Sequence, residues 1–232
     1  MGVTERRAQT DPPQSEERLQ ARGSLVETLS QESGVHDPRI LNAFARVPRH
    51  LFVPPHEDDA AYNDVALPIG FRQTISQPSM IAIMLSALAL EPGDRVLEVG
   101  GGSGYAAALM AELGAEVFTL EILPELAERA AECLATLGYD RVHVINKNGR
   151  SGLPEHAPYD AVLVSAAAGD IPDELVRELA PGGRIAIPVG GEEEQQLLVG
   201  HKNARGEMRW ERSVPCIFVP LVGGPTPDQR ET

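Results

Sequence analysis

The sequence contains few cysteines, few aromatic residues and no excess of basic charge. Two of its 232 residues are cysteines, Cys133 and Cys216, and 4% are aromatic. Without a CxxC pair or a Cys/His cluster, neither a disulfide framework nor a metal site is expected, so both thiols are predicted to fill core positions. The formal net charge of −14 argues against nucleic acid and anionic membranes as partners, because those surfaces attract clustered Lys and Arg.

Long hydrophobic runs are also missing. No stretch approaches the roughly 18 apolar residues that cross a bilayer, and the N-terminal segment lacks the apolar core of a signal peptide. We therefore expect a soluble cytoplasmic protein, and we expect it to be a monomer. At 42% hydrophobic residues, the chain is able to bury a large core.

Polar segments at both ends of the chain predict a three-part organisation. Residues 1–22 are expected to form a disordered polar tail, with a helix beginning no earlier than about Glu16. Residues 23–223 are predicted to form one domain. Residues 224–232 are expected to be a second flexible tail.

Between residue 95 and about residue 190, short apolar strands alternate with helices. RVLEV at 95–99 and AEVFTLEI at 115–122 are predicted strands. SGYAAALMAEL at 103–113 and PELAERAAECLATLG at 124–138 are predicted helices. This alternation is typical of a mostly parallel sheet with helices on both faces, an α/β architecture in which ligands bind beyond the carboxyl ends of the strands.

Three segments outside the alternating region carry separate predictions. SMIAIMLSALAL at 79–90 is apolar nearly all round and predicts a buried helix. VPRHLFVPP at 47–55 predicts an extended segment bounded by prolines. SVPCIFVPL at 213–221 predicts the last strand.

The segment RVLEVGGGSGYAAAL at 95–109 reads as a strand, a glycine-rich turn and a helix. Such a turn allows close approach of the backbone to a ligand, and the helix offers free N–H groups. Residues 102–107 match the G-x-G-x-x-A variant of the dinucleotide fingerprint, and Glu121 ends the next strand where a ribose-binding carboxylate is expected. Two interpretations of this turn are therefore left: a dinucleotide-binding site and a purely structural turn.

Glu98 favours a ligand other than a dinucleotide. It lies within the strand, two residues before Gly100, where its charge would be unfavourable to a pyrophosphate but suits a cationic amino group. S-adenosylmethionine has a ribose for Glu121, an adenine, a positively charged amino-acid end and no phosphate. It therefore fits this turn better than a dinucleotide.

Several further segments carry a resemblance to a known family. They are VPRHLFVP at 47–54, LPIG at 67–70, QTISQP at 73–78, VLEVGGGSGY at 96–105, GLPEHAPYDAVLVSAAA at 152–168, LAPGGRIAIPVG at 179–190 and FVPLVG at 218–223. Together they resemble the protein-L-isoaspartate O-methyltransferase family. The resemblance implies a Rossmann-like class I S-adenosylmethionine-dependent methyltransferase fold. It also implies carboxyl O-methylation of L-isoaspartyl residues in peptides and damaged proteins, which are repaired through a succinimide.

The resemblance also implies the site residues. Ser76 matches the active-site serine. The predicted donor-binding residues are Thr74, Ile75, Gln77, Glu98, Gly100, Gly102, Ser103, Gly104, Tyr105, Glu121, Asn148, Gly149 and Gln195. The predicted peptide-binding residues are Ile69, Gly70 and Arg72.

Two of these residues have alternative interpretations. An acceptor carboxylate is already ionised at neutral pH and needs no general base, so Ser76 is interpreted as a hydrogen-bond donor to the carboxylate or to the donor pocket. The alternative is that Ser76 caps the helix that begins near Pro78. Arg72 is able to pair with a substrate carboxylate, or to be an ordinary surface arginine.

The chain departs from the family pattern at three positions. Gly101 stands where the family often has Thr, Arg72 replaces a glycine, and Asn148 replaces the Asp before Gly149. An Asn carbonyl still accepts a hydrogen bond from adenine but carries no charge, so weaker donor binding is expected. These departures leave two alternatives open: methylation of aspartate side chains in a dedicated natural-product precursor peptide, and a donor-binding protein without turnover.

Overall fold

The computed structural model describes residues 16–191 and 193–223. Helix α1 spans Glu16–Glu32 and buries Arg22. The expected helix start near Glu16 is confirmed, and residues 16–22 therefore belong to the folded domain and not to the tail predicted for residues 1–22. The predictions for residues 1–15 and 224–232 lie outside the described residues.

A seven-stranded sheet forms the centre of the domain. Its strands are β3 (Arg95–Val99), β4 (Glu116–Glu121), β5 (Val142–Asn146), β6 (Tyr159–Val164), β7 (Leu179–Gly190), β8 (Gln195–Lys202) and β9 (Met208–Cys216). The spatial order is β5-β4-β3-β6-β7-β8-β9. The first five of these are parallel, while β8 and β9 run antiparallel at one edge. The predicted mostly parallel sheet is confirmed.

Helices cover both faces of this sheet. They are α2 (Pro38–Arg46), α3 (Pro78–Leu88), α4 (Tyr105–Glu112), α5 (Pro124–Thr136) and α6 (Asp173–Glu178). Neighbouring residues of β3 point to opposite faces: Val96 joins the core beneath α2 to α5, and Leu97 joins the core that includes Leu175 of α6. Burial on both faces explains why Val96, Leu97 and Val99 of this strand are all apolar.

The segment before α3 differs from its prediction. VPRHLFVPP is not extended: it forms a tight 3-10 turn at Arg49–Phe52, followed by another at Pro55–Ala60. Arg49, His50 and Phe52 are all buried, and an extended chain, whose side chains alternate between two faces, would not bury all three on one side.

A short hairpin follows these turns and was not predicted. Its strands are β1 (Leu67–Gly70) and β2 (Gln73–Ile75), which pair antiparallel. The two turn residues, Phe71 and Arg72, have φ angles of 52° and 58°. A two-residue turn of this kind favours Asn-Gly, so the sequence gave no hairpin signal here.

The last strand also differs from its prediction. It begins at Met208 and ends at Cys216, so residues 217–221 lie beyond it. Those residues cross the carboxyl edge of the sheet, where the Val219 carbonyl accepts from the Ala167 N–H and the Leu221 N–H donates to the Ala167 carbonyl. In the described ranges, no helix has both the length and the apolar character needed to span a membrane.

Candidate active site

Three adjoining cavities lie at the carboxyl edge of the sheet. The edge cavity, of about 140 Å³, is lined by turns that follow four parallel strands: Val99–Gly100, Gly102, Leu120–Leu123, Asn148–Gly149 and Ser165–Ala166, together with Gln73, Thr74 and Val219–Val222. The outer cavity, of about 430 Å³, is lined by Ala66, Thr74, Ser76, Gln77, Met80, Ser165, Glu193–Gln195 and Pro215–Val219. Thr74 and Ser165 belong to both walls, so the two cavities adjoin.

A small junction cavity, of about 30 Å³, lies where the Ser76 loop meets the glycine-rich turn. Its walls include Thr74, Ile75, Ser76, Glu98, Gly100–Ser103, Tyr105 and Ser165. Two segments that are more than twenty residues apart in sequence therefore converge on one point, as the predicted site requires.

Two positions of the glycine-rich turn require glycine: one has a positive φ, and the other lies directly against strand β4. Gly104 begins helix α4 with a φ of 85°, a conformation that glycine adopts without strain. At Gly101, an added Cβ would overlap Thr119 Oγ1. Thr119 lies opposite Glu98 in the β3–β4 register. Glycine at position 101 therefore leaves room for the Thr119 side chain, which gives the expected departure at Gly101 a physical reason.

Glu121 fixes the turn from the end of β4. Its carboxylate accepts hydrogen bonds from the Gly102 N–H (2.8 Å) and the Leu123 N–H (2.9 Å). The side chain is buried and lines the edge cavity. Since each carboxylate oxygen is able to accept a further hydrogen bond, the group remains able to bind a pair of ribose hydroxyls.

Glu98 is a buried carboxyl without a full set of partners. Its side chain is 1% exposed, and Oε2 has no hydrogen-bond partner among the described residues. Burial raises its pKa to about 8; the nearby Thr119 opposes this increase and the charge of Glu121 reinforces it. A buried, unpaired carboxyl oxygen costs free energy unless a ligand satisfies it. A cationic amino group in the junction cavity would do so, and the residues present therefore fit S-adenosylmethionine.

Part of the wall of the edge cavity is suited to a flat aromatic base. Ile122, Leu123 and Val222 give it apolar walls. Asn148 lies beside them, and its Oδ1 accepts from the Arg150 N–H at 3.0 Å, which turns the chain after β5. The remaining lone pair of that oxygen is available to an adenine amino group.

Ser76 lies between β2 and α3 and lines both the outer and the junction cavity. Its hydroxyl makes no hydrogen bond to another described residue, and its carbonyl accepts from Arg49 Nη2 at 2.9 Å. The capping role belongs instead to Asp64, which accepts from the Ser79 N–H (2.7 Å) and from Gln77 Nε2 (2.9 Å). The interpretation of Ser76 as a helix cap is therefore wrong, and its hydroxyl is free for a ligand.

The structure does not bring the predicted peptide-binding residues to the outer cavity. Ile69 is fully buried beneath the glycine-rich turn, and its carbonyl accepts from Arg129 Nη1 at 3.1 Å. Gly70 lies beside the same guanidinium. Arg72 is exposed in the hairpin turn and lines none of the described cavities. The β1–β2 hairpin supports the glycine-rich turn, and contact of these three residues with a peptide stays a prediction.

Two of the predicted donor-binding residues lie on the outer cavity only. Gln77 is held by Asp64, as described above. Gln195 is buried, with its amide oxygen accepting from the Phe218 N–H (2.6 Å) and its amide nitrogen donating to the Phe218 carbonyl (3.0 Å). It thus holds the wall of the outer cavity in place and does not reach the edge cavity.

The other predicted residues lie at the edge or junction cavity, apart from Gly104, which begins α4. Thr74, Gly100 and Gly102 line both of these cavities. Glu121, Asn148 and Gly149 line the edge cavity, while Ile75, Glu98, Ser103 and Tyr105 line the junction cavity. The convergence of these residues is observed, and their contacts with ligands stay predictions.

Sequence reasoning missed Ser165, which borders all three cavities. It follows directly after β6, whose neighbour β3 carries the glycine-rich turn. Ligands of parallel sheets bind beyond the carboxyl ends of the central strands, so its position after the apolar run YDAVLV would have identified it.

The family model for protein-L-isoaspartate(D-aspartate) O-methyltransferase matches residues 20–226 of this chain. The chain belongs to this family. A protein-L-isoaspartate O-methyltransferase of Roseiflexus castenholzii is 50% identical over 203 residues, covering 88% of this chain and 92% of the relative. One of Aeropyrum pernix is 48% identical over 208 residues, covering 88% of this chain and 80% of the relative.

Solved structures of this family have the same fold. One protein-L-isoaspartate O-methyltransferase superposes with a TM-score of 0.78 at 29% identity, over 88% of this chain and 66% of its own length. That of Plasmodium falciparum, solved with S-adenosyl-L-homocysteine, gives a TM-score of 0.77 at 28% identity, over 86% of this chain and 97% of its own. The predictions of the family, of the Rossmann-like class I fold and of S-adenosylmethionine as cofactor are confirmed.

Proposed function

We propose that this family member transfers a methyl group from S-adenosylmethionine to the α-carboxylate of L-isoaspartyl residues in peptides and damaged proteins. The main support for the proposal is the junction cavity, whose wall contains both Ser76, from the loop between β2 and α3, and the glycine-rich turn. The methyl ester then collapses to a succinimide, whose hydrolysis returns part of the material to normal aspartate. Neither alternative function finds support among the relatives.

The donor would be held by residues of the edge and junction cavities. Glu121 would bind the ribose hydroxyls, Glu98 the amino group, and the apolar walls with Asn148 the adenine. When bound, S-adenosylmethionine supplies a methyl group made electrophilic by its sulfonium sulfur.

The acceptor side needs orientation, with no general base. A carboxylate is ionised at neutral pH, so Ser76 serves by donating its hydroxyl hydrogen bond to one carboxylate oxygen. The outer cavity holds the flanking peptide and excludes water. The opposite charges of the donor and the acceptor are neutralised during the transfer, which a site without water favours. Orientation of the two reactants lowers the activation free energy by up to about 7–11 kcal/mol.

The outer cavity has the size that a peptide side chain with its flanking backbone requires. Its volume is about three times that of the edge cavity, at about 430 Å³ against about 140 Å³. Its rim includes Ile217, whose side chain is 70% exposed. An exposed isoleucine beside a large cleft offers apolar contact to a bound peptide. That the protein is monomeric and cytoplasmic stays a prediction.

The test is methyl transfer to matched peptides. Purified protein is incubated with methyl-labelled S-adenosylmethionine and either an isoaspartyl peptide or the same peptide with normal aspartate. Label should enter the isoaspartyl peptide as a base-labile ester and not its twin. Preferential labelling of the aspartyl peptide would overturn the proposed acceptor. Binding of S-adenosyl-L-homocysteine with no labelling of either peptide would overturn the proposed activity.

A further inference from the structure

Arg49 is a buried cation that the mechanism above does not use. It lies in the 3-10 turn before the hairpin and is fully buried. Its Nη2 donates to the carbonyls of Ser76 (2.9 Å) and Val65 (3.3 Å), while Nε and Nη1 have no hydrogen-bond partner among the described residues. No described carboxylate lies within ion-pair distance of it. Buried charges are normally paired, so this residue calls for a physical explanation.

The surroundings of Arg49 keep its charge in place. The guanidinium lies over the ring of Tyr105, 4.8 Å from the centroid, in a cation–π arrangement. Burial lowers the pKa of Arg49, opposed by Tyr105 and Asp64, but an arginine stays protonated in proteins. A permanent positive charge therefore sits directly behind the Ser76 main chain.

The main chain at Ser76 is fixed from two sides. Arg49 binds its carbonyl, while Asp64 binds the Gln77 side chain and the Ser79 N–H. The loop that carries the acceptor-binding hydroxyl is thus held by one cation and one anion, which determine where the hydroxyl enters the junction cavity.

The cavities themselves lack positive charge. Among the described residues that line the outer, edge and junction cavities, none is Lys, Arg or His. The outer cavity instead has Glu193 and Glu194 at its rim, in a chain of net charge −14. An anionic acceptor entering this site loses its hydration and meets no cation on the cavity walls, which is unfavourable without a compensating charge.

We propose that Arg49 is a positioning residue for the acceptor, whose guanidinium fixes the main chain at Ser76 and supplies the positive charge that lets the outer cavity accept a carboxylate. The assignment differs from that of Arg72, which is exposed and lines none of the three cavities. It rests on the proposed function, because it concerns binding of the same carboxylate.

The test compares two peptides that differ only in the charge of the acceptor. One contains isoaspartate, and the other contains the corresponding carboxamide. Their dissociation constants are measured by calorimetry with the protein saturated in S-adenosyl-L-homocysteine. A hydrogen-bonded charge contributes about tenfold or more in affinity, so the wild-type protein should prefer the carboxylate by at least that factor.

Arg49→Met retains much of the side-chain volume and removes the charge. In this variant, the preference for the carboxylate should fall to about threefold or less, while the dissociation constant of S-adenosyl-L-homocysteine stays within about threefold of the wild-type value. Arg49→Lys should retain most of the preference, because it keeps the charge, but should lower kcat, because it loses the planar fork. Should Arg49→Met fail to fold, Arg49→Gln provides a neutral variant that keeps hydrogen-bond donors.

Arg22→Met is the matched control. Arg22 is also buried and donates to a main-chain carbonyl, that of Ala45 (3.1 Å), but it does not line the cavities. This variant should keep the wild-type preference for the carboxylate.

Two outcomes would contradict the proposals, and they are distinguishable. An unchanged preference in the neutral Arg49 variants overturns the role of the charge, whether or not both peptides bind more weakly, since equal weakening reports only disorder of the loop. Failure of the wild-type protein to bind either peptide, despite binding S-adenosyl-L-homocysteine, overturns the proposed function and with it the role of Arg49.

Discussion

The edge cavity and the outer cavity differ in where their walls come from. The edge cavity is built mainly from consecutive turns at the ends of parallel strands, between Val99 and Ala166. The outer cavity combines a loop before the sheet, including Ser76, with the last two strands and the segment Ile217–Val219. A ligand site at the carboxyl edge of a parallel sheet follows from local pattern, whereas the outer cavity depends on contacts between distant segments.

The two regions also differ in charge. Buried carboxyls of the edge and junction cavities, Glu98 and Glu121, suit a cationic ligand with hydroxyl groups. The outer cavity must accept an anion, and the proposed source of positive charge is Arg49, which donates to the Ser76 carbonyl. If this division is correct, substitutions on one side should change donor affinity and substitutions on the other should change use of the peptide.

The largest expected effect is on the donor side, at Glu121. Glu121→Gln keeps the shape but replaces one acceptor oxygen by an NH₂ group, which faces either the Gly102 or the Leu123 N–H. Loss of charged hydrogen bonds at a buried site costs about 2–4 kcal/mol, or about 30- to 1,000-fold in donor affinity. Calorimetric titration with S-adenosyl-L-homocysteine measures this. A weakening of less than about threefold would remove Glu121 from the donor site.

The matching change on the acceptor side is Ser76→Ala. Loss of one hydrogen bond to a charged group should lower kcat/KM for the isoaspartyl peptide by about 10- to 100-fold. The dissociation constant of S-adenosyl-L-homocysteine should stay within about twofold, measured in the same preparation. The reverse pattern, with donor affinity lost and turnover kept, would assign Ser76 to the donor pocket.

The protonation of Glu98 makes donor binding depend on pH, which separates the donor side from the acceptor side. Burial raises the pKa of this carboxyl in the folded protein to about 8, so the carboxyl is protonated at pH 7 when no ligand is bound. A bound ammonium group should displace that proton. Binding of S-adenosyl-L-homocysteine should therefore release close to one proton near pH 7 and progressively less above pH 8. Calorimetry in buffers of different ionisation enthalpy counts that proton.

The same group affects the stability of the unliganded protein. Between about pH 4.5 and pH 8, the folded chain retains a proton that the unfolded chain releases, so this carboxyl lowers the free energy of unfolding as pH rises through that window. Glu98→Gln is the control, and it should abolish the proton release. Undiminished release in that variant would place the titrating group elsewhere.

A smaller gain in donor affinity is expected from Asn148→Asp. The carboxylate would keep the hydrogen bond from the Arg150 N–H and offer a charged acceptor to the adenine amino group, worth about 0.5–1 kcal/mol, or about two- to fivefold. Titration with S-adenosyl-L-homocysteine measures the change. An identical dissociation constant would mean that Asn148 does not contact adenine.

The smallest effect is expected outside both cavities, at Arg72. Its φ of 58° is strained for a residue with a Cβ, so Arg72→Gly should raise the free energy of unfolding by about 0.5–1 kcal/mol, or Tm by about 1–4 °C. Methyl transfer should be unchanged.

Arg72→Ala controls for the loss of charge, because it keeps the Cβ and should leave Tm near the wild-type value. A lowered activity in both variants would instead restore Arg72 to the peptide site.

Sequence pattern was sufficient for the regular part of the fold. The alternation from Arg95 to Gly190 predicted the parallel strands, and the apolar run after Pro78 predicted α3, because each element there buries side chains with its own period. The glycine-rich turn and Glu121 were found for the same reason, since each lies at a predicted strand end.

The remainder depends on tertiary contacts that no local pattern encodes. The β1–β2 hairpin has an unfavourable turn sequence and is held by Arg129, from a distant helix. The place of Gln195 in the wall of the outer cavity depends on the bonds of its amide to the Phe218 backbone, which lies 23 residues further along the chain. Arg49 carried no signal beyond its place in VPRHLF, because its role depends on Ser76 and Tyr105 lying against it.

We infer that the edge and outer cavities form one reaction site, which they share at the junction cavity. The most direct measurement is a crystal structure with S-adenosyl-L-homocysteine and an isoaspartyl peptide both bound. We expect the sulfur beside Thr74 and Ser165, and a carboxylate oxygen bonded to Ser76 within about 5 Å of that sulfur, close enough for a methyl group to pass between them. A sulfur outside the junction, or a carboxylate turned away from Ser76, would contradict the account.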